Sequence, residues 1–448
     1  VVFRTFGVAT AGGHANERQR RVVLCALASA LAKVISVSTA LISVPLTLHY
    51  LGAERYGMWM TMSSLVAMLG FADLGIGNSL LTSVASAHGR DDREEIKVYV
   101  SSAYFVLSLI ALAIVTLFGL AYPFVDWSRI FNVQSDLART ESSPALATMI
   151  LCFALAMPLA VAQKVQTGLQ RGYAASLWQC AASSIALAGV LLAIDRQAPL
   201  PWLVLAFVGA SPLVGLVNSV TFFLLSDSDI APSWRSLSIG ATRSVAGIGL
   251  LFLVLQVVGA LSFASDNIII AHVLGAEAVA NYTVPAQMFN LISTVLMATL
   301  APLWPAYAEA IARGDRAWVS KTLRRSVILS VGFASVCSTV LVGVVPWIIG
   351  MWVGDAVAPP LLLLVGLGVW KVVEAGGNAL AMFLNGAKVV RTQVVISSLT
   401  CISALVGKIL LISDIGTPGI IWATVVSFLI FAALPYSLIL KKLLSRLK

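Results

Sequence analysis

This 448-residue chain has little charge: Asp, Glu, Lys and Arg make up 11% of it, while hydrophobic residues make up 59%. Soluble domains carry roughly 25% charged residues, so a water-soluble globular fold is excluded. The chain has no G-x-x-x-x-G-K-[ST] loop to cradle nucleotide phosphates, no H-E-x-x-H and no G-x-S-x-G. It also lacks a carboxylate-rich external loop of the kind that holds a metal and a sugar donor. Neither ATP-driven work nor soluble-type hydrolysis or glycosyl transfer has a place to sit, so no enzyme activity, cofactor or metal is expected. Cysteine is scarce as well. Cys25, Cys152, Cys180, Cys337 and Cys401 all fall in apolar runs without C-x-x-C spacing. They read as small packing residues, not disulfides or ligands.

What is present is a succession of apolar runs near or above the ~20 residues that carry a helix across a ~30 Å hydrocarbon core, without the alternation of outer-membrane strands. Twelve helical spans are predicted: 22–50, 56–82, 96–122, 144–168, 173–194, 200–225, 245–273, 279–304, 325–348, 359–386, 391–412 and 418–440. The loops between them are short, the longest outer one running over 123–143. Of the 29 Lys and Arg residues, 22 fall on one side of these spans and only Arg55, Arg129, Arg139 and Arg196 on the other. The positive-inside rule therefore puts both termini in the cytoplasm. The net charge of +9 belongs to a rim beside anionic lipid head groups and calls for no nucleic-acid partner. The first span is too long for a signal-peptide core and reads as a retained anchor.

The sequence also repeats itself. His49-Tyr50-Leu51-Gly52-Ala53-Glu54 returns as His272-Val273-Leu274-Gly275-Ala276-Glu277, 223 residues later. The polar stretches 87–97 and 312–321 correspond at an offset of 224 or 225, and Leu169, Gln179, Ser183 and Ser184 match Leu384, Gln393, Ser397 and Ser398 at 214 or 215. Order is kept through the half, as in a tandem duplication. With six spans per copy the two copies enter the membrane in the same direction. The expected layout is a cytoplasmic segment over 1–21, an N-lobe over 22–225, a cytoplasmic linker over 226–244, a C-lobe over 245–440 and a basic cytoplasmic tail over 441–448. The fold class is all-α polytopic, two parallel-related six-helix lobes.

A charge at mid-bilayer costs roughly 2.5–3.5 kcal/mol on insertion scales and usually faces a partner or a wet cavity. The candidates in the predicted spans are Lys33, Asp73, Asp266, Lys371, Glu374 and Lys408. Lys33 stands about 18 Å along the helix from Arg21 at 1.5 Å per residue, near the membrane middle. Lys371 and Glu374 are spaced i, i+3 and able to pair. Lys408 is expected to snorkel to the outer surface. Asp73 lies in Gly70-Phe71-Ala72-Asp73-Leu74-Gly75-Ile76-Gly77, where glycines suit either a hinge or a tight crossing. Pro45 is expected to kink the first span, and Pro285, Pro302 and Pro305 to act similarly in the eighth. His49 and His272 read as boundary residues engaged in interfacial hydrogen bonding.

The boundary motif Tyr50-Leu51-Gly52-Ala53-Glu54-Arg55-Tyr56-Gly57-Met58-Trp59 and the following Asp73-Leu74-Gly75-Ile76-Gly77 resemble the polysaccharide transporter family. In the second half Asp266-Asn267-Ile268-Ile269-Ile270, Val279-Ala280-Asn281-Tyr282 and Pro302-Leu303-Trp304-Pro305-Ala306-Tyr307-Ala308-Glu309 agree with it. That family holds the O-antigen and exopolysaccharide repeat-unit flippases of the multidrug/oligosaccharidyl-lipid/polysaccharide (MOP) superfamily. The resemblance implies a V-shaped pair of lobes in the bacterial inner membrane. It also implies alternating-access transfer of an undecaprenyl-diphosphate-linked oligosaccharide from the cytoplasmic to the periplasmic leaflet, for lipopolysaccharide or another surface polysaccharide. Partners implied are that substrate, membrane lipids, and the polymerase and chain-length regulators of the same pathway. On this reading Lys33, Arg243 and Lys371 form a cationic cavity lining, and Asp73, Asp266, Glu374 and Pro45 serve coupling or gating. Proton antiport, sodium antiport and the membrane potential all remain open as driving forces. Two spans fewer than the lipid II flippases disfavours lipid II. One competing function is a cation-coupled drug exporter of the same superfamily, disfavoured because its acids would have to cluster in one lobe. Another is a membrane-embedded polymerase or ligase, disfavoured by the short outer loops.

Overall fold

The computed structural model describes residues 11–131, 135–274, 276–352 and 359–436. Among them every regular element is helical and no strand occurs. In chain order the elements are α1 (Ala11–Met68), α2 (Ile76–Gly89), α3 (Arg93–Ala121), α4 (Trp127–Ile130), α5 (Asp136–Leu159), α6 (Val161–Gly168), α7 (Gly172–Asp195), α8 (Leu200–Val208) and α9 (Ala210–Val220). They continue with α10 (Ile239–Leu274), α11 (Ala276–Leu300), α12 (Leu303–Ala312), α13 (Arg316–Trp352), α14 (Leu361–Gly386), α15 (Val390–Ile415) and α16 (Thr417–Phe428). Eleven helical stretches among the described residues are long and apolar enough to cross a membrane. The chain is a multi-pass membrane protein. The basic tail expected over 441–448 lies outside the described residues.

Where the helices break follows from local chemistry. α1 is interrupted at Gly52, whose φ of 73° and ψ of 169° no side chain-bearing residue adopts cheaply. The glycine of the repeated boundary motif is therefore the corner between the first two membrane segments. Its counterpart Gly275 lies outside the described residues. The expected span 56–82 is not one helix. It gives way to a tight 3₁₀ turn at Leu69–Phe71, then passes Leu74 at φ 50° and Gly75 at φ 70° before α2 begins. The glycine-rich stretch breaks the helix and is also closely approached, since an added Cβ at Gly249 would stand 2.9 Å from the Leu74 carbonyl oxygen. The expected span 144–168 starts earlier, at Asp136, because Ser135 caps Ala138, and it divides after Pro158 into α5 and α6. Pro285 is accommodated inside α11, whereas Pro302 stands at the start of α12. The kink expected at Pro45 falls on a side chain outside the described residues.

The chain divides into two compact units, Val1–Leu250 and Leu251–Lys448. In the first, Ile76, Leu80 and Val84 of α2 pack with Val100 and Leu107 of α3 and Val161 and Val165 of α6. A separate cluster joins Met58, Trp59 and Met62 to Met149, Leu200 and Leu203. In the second unit glycines let helices touch, as membrane helix packing favours. Gly407 lies against Ala423, and Gly386 approaches so closely that an added Cβ would stand 2.9 Å from the Trp304 carbonyl oxygen. Leu112, Leu117 and Leu120 of α3 and Val336 and Val340 of α13 are exposed. Hydrocarbon, not water, is the solvent such a surface suits.

The two units share turn geometry. Asp91 (φ 57°) precedes Asp92, whose carboxylate accepts from the Glu95 backbone N–H at the start of α3. In the second unit Gly314 (φ 73°) precedes Asp315, whose carboxylate accepts from the Trp318 N–H at the start of α13. The offset is the 223 residues of the histidine motif. The turn after α6 repeats after α14 in the same way. Gln170 (φ 57°) and Lys388 (φ 58°) both sit left-handed, followed by matching N–H bonds from Arg171 to the Gln166 carbonyl and from Val389 to the Leu384 carbonyl.

Candidate transport sites

In the first unit the helix break places a carboxylate and an ammonium side by side. Asp73 accepts the Gly75 N–H at 2.9 Å, which holds the carboxylate at the start of α2. Lys164 reaches across from α6 to donate to Asn78 Oδ1 at 3.3 Å. The two converge over Gly77, where an added Cβ would lie 3.2 Å from Asp73 Oδ2 and 3.0 Å from Lys164 Cε. Sequence reasoning placed Lys164 on the basic rim and missed this meeting. The available signal was that Lys164 falls inside the predicted span 144–168.

The boundary motif of the first unit is a clamp. Arg55 makes a bidentate pair with Glu141 of α5 at 2.7 and 2.9 Å, the geometry for which a planar guanidinium is suited. Glu141 also accepts the Leu200 N–H that opens α8. Tyr50 donates to the Ala198 carbonyl, and Glu54 accepts from the Ser135 N–H. Trp59 stacks edge-on against Phe207 at 5.4 Å. These residues hold helices together.

At the basic end of the same unit, Asp227 gathers Arg171 at 2.6 Å and Arg93 at 3.1 Å, with the Ser226 hydroxyl at 3.0 Å. Burial pushes the Asp227 carboxyl up. The Arg171 charge, with the hydrogen bonds from Ser226, Arg93 and Arg171, outweighs this and holds it below the ordinary carboxylate value.

The second unit holds the densest polar chemistry. Asp266 pairs with Lys408 at 2.6 Å and accepts the Tyr282 hydroxyl at 2.7 Å. Lys408 also donates to the Ser262 carbonyl at 2.7 Å. The expectation that Lys408 snorkels is overturned, because its side chain is 1% exposed and points inward to Asp266. A carboxylate on a neighbouring helix is a better partner than the distant surface. Lys371, also buried, donates to Asn290 at 2.7 Å, Ser293 at 3.0 Å and Glu374 at 2.7 Å. The predicted i, i+3 pair therefore forms, with Ser293 bonding the same carboxylate at 2.8 Å. Asp266 and Lys371 line one cavity of about 210 Å³. Glu374 lines a neighbouring hollow of about 260 Å³, and Trp370 contributes to both walls. The spans carrying Asp266 and Glu374, which looked scattered in the sequence, thus meet inside one unit.

Lys33 and Arg243, by contrast, are exposed, on α1 and α10 respectively. His49 and His272 are exposed too. Among the described residues no cluster of His, Cys, Asp and Glu is arranged to hold a metal ion.

The polysaccharide biosynthesis protein family matches residues 26–311, more than half of the chain. The chain belongs to that family. Among its relatives is a Salmonella typhimurium protein named "Putative O-antigen transporter", 21% identical over 430 residues, with 94% of this chain and 96% of the relative covered. A Salmonella typhi protein of the same name is 24% identical over 315 residues, 69% of each chain. Among solved structures, the outward-facing form of a multidrug resistance MATE family transporter of the MOP superfamily superposes with a TM-score of 0.78. It is 12% identical and covers 96% of this chain and 97% of its own. A MATE structure in a bent conformation gives 0.79 at 13% identity, with 96% of each chain covered. The family member described here therefore has the MATE fold.

Proposed function

We propose that the chain is a flippase of the bacterial inner membrane. It carries an undecaprenyl-diphosphate-linked oligosaccharide from the cytoplasmic to the periplasmic leaflet by alternating access. Twelve crossings, parallel repeats and cytoplasmic termini belong to the same reading. The single observation that carries it is the near full-length similarity to a protein named for O-antigen transport, on a fold shared with transporters.

The physical problem explains the design. A diphosphate and several sugars are rejected by hydrocarbon, since each polar group left without a partner there costs several kcal/mol. A hydrated path with a few cations solves this while the lipid tail stays in the bilayer. Lys33 and Arg243, exposed on their helices, supply the free cations of that path. Lys371 contributes less net charge, being neutralised by Glu374. The cation-coupled exporter is disfavoured on the same ground. Asp266 and Glu374, the acids that a coupling ion would need in the second unit, are each already held by a lysine. Asp73 remains the candidate for gating, at a point where the helix is broken.

The test is complementation of a strain lacking its own repeat-unit flippase, scored by surface polymer on gels and by accumulation of the lipid-linked precursor in the inner leaflet. Restored polymer with cleared precursor is expected. Precursor that stays in the inner leaflet despite stable protein in the membrane would sink the reading.

A further inference from the structure

The cavity of about 210 Å³ in the second unit is walled by both polar and apolar groups, on helices long and apolar enough to cross a membrane. Its charges cancel in pairs: Asp266 with Lys408, and Lys371 with Glu374. Neither an anion nor a cation would find an unopposed charge there. What faces the space without a described partner of its own is neutral amide: Asn267, on α10, and Gln287, on α11. Asn290 adds a third, its Oδ1 taken by Lys371 and its amide nitrogen left to donate. Trp370 supplies an aromatic wall.

Uncommitted amides beside an indole are the chemistry that recognises a neutral polyhydroxylated ring. Amides both donate to and accept from hydroxyls, and the flat apolar ring covers the C–H face. The volume also suits such a ring. At ~30 Å³ per water, 210 Å³ is the room of roughly seven waters, comparable to a single hexose. We infer that this cavity is a subsite for one uncharged pyranose residue of the transported oligosaccharide, held by Asn267, Gln287 and Asn290 against Trp370. The inference rests on the transport reading for its ligand, and on the charge cancellation for its neutrality.

The experiment uses the full chain in lipid nanodiscs, with methyl glucoside, N-acetylglucosamine and rhamnose as probes, followed by saturation-transfer NMR on the sugar protons. A parallel arm titrates sodium. Gln287→Ala removes an amide that bonds nothing within the protein, so folding is undisturbed, and Thr283→Trp fills the cavity. Saturation of at least one sugar, reduced five-fold or more by both variants and unaffected by sodium, is expected. No saturation of any sugar, or equal saturation in wild type and Thr283→Trp, overturns the subsite. So does sodium displacing the sugar. Failure of transport is told apart in cells. Wild type that binds sugar but leaves precursor in the inner leaflet defeats the flippase reading alone. Surface polymer made equally well by wild type and Thr283→Trp defeats the subsite alone.

Discussion

Lys408 and Asp266 lie 2.6 Å apart, nitrogen to oxygen, on α15 and α10, with side chains 1% and 9% exposed. Removing one member of such a pair leaves the other as an uncompensated buried charge, at a cost of about 3–5 kcal/mol. Lys408→Met alone and Asp266→Asn alone should therefore each lower the melting temperature sharply and reduce the amount of protein in the membrane. The double variant should regain most of both, because a neutral pair leaves no stranded charge. Thermal unfolding of the four proteins in detergent checks this. Single variants that melt with wild type would mean the pair carries no structural weight.

The clamp at the other unit's boundary motif makes a narrower claim. Arg55 engages Glu141 through two nitrogens, and a lysine cannot reproduce two parallel bonds from a planar fork. Arg55→Ala should cost about 1.5–3 kcal/mol, the range for a hydrogen bond to a charged group. Arg55→Lys should recover only part of it. A double-mutant cycle with Glu141→Gln measures the coupling. A lysine variant indistinguishable from wild type would show that charge alone matters there.

Much of this architecture was legible in the sequence. Low charge and long apolar runs point to a helical membrane protein, and the Lys371–Glu374 pair follows from spacing on one helix. Gly52 was visible as part of a repeated motif, though not as a corner with positive φ, because sequence reports glycine and not its dihedral. The interhelical partners were hidden. Lys408 finds Asp266, and Lys164 meets Asp73, through packing between segments far apart in the chain. No periodicity along one segment encodes which neighbour it will touch. The division after Pro158 was hidden for a related reason, while Gly75 and Pro302 were legible only as weak points. A glycine or proline in an apolar run marks a place where a helix is weak, and only the packing around it decides whether the helix breaks, as at Gly75, or absorbs it, as at Pro285.

Asp227 gives the molecule an acid-sensitive point at its basic end. Its folded carboxyl lies below the ordinary value near 3.9, so the folded state binds the proton less readily than the unfolded chain. The stability this provides is full above the unfolded value and is lost as pH falls through the folded one. Melting temperatures of wild type and Asp227→Asn, followed from pH 7 down to pH 3, should differ at neutral pH and converge toward the acid end. A gap independent of pH would show that shape, not ionisation, holds Arg93 and Arg171 in place.

Lys33 and Arg243 test the transport reading where the structure leaves charge exposed. Neither stands in a described ion pair, so neither Lys33→Ala nor Arg243→Ala has a buried partner to strand, and melting temperatures should stay at the wild-type value. Their contribution, on the proposed mechanism, is to the diphosphate during passage. Charge-assisted hydrogen bonds are worth about 1.5–3 kcal/mol, so losing one should slow precursor clearance by about ten-fold or more. Lys33→Arg, which keeps the charge, should retain most of the rate. The pattern to look for is a rate that follows charge while stability does not move. A double alanine variant that clears precursor at the wild-type rate would take both residues out of the path and leave the head group to be neutralised by other cations, of which Lys164 beside Asp73 is the next to examine.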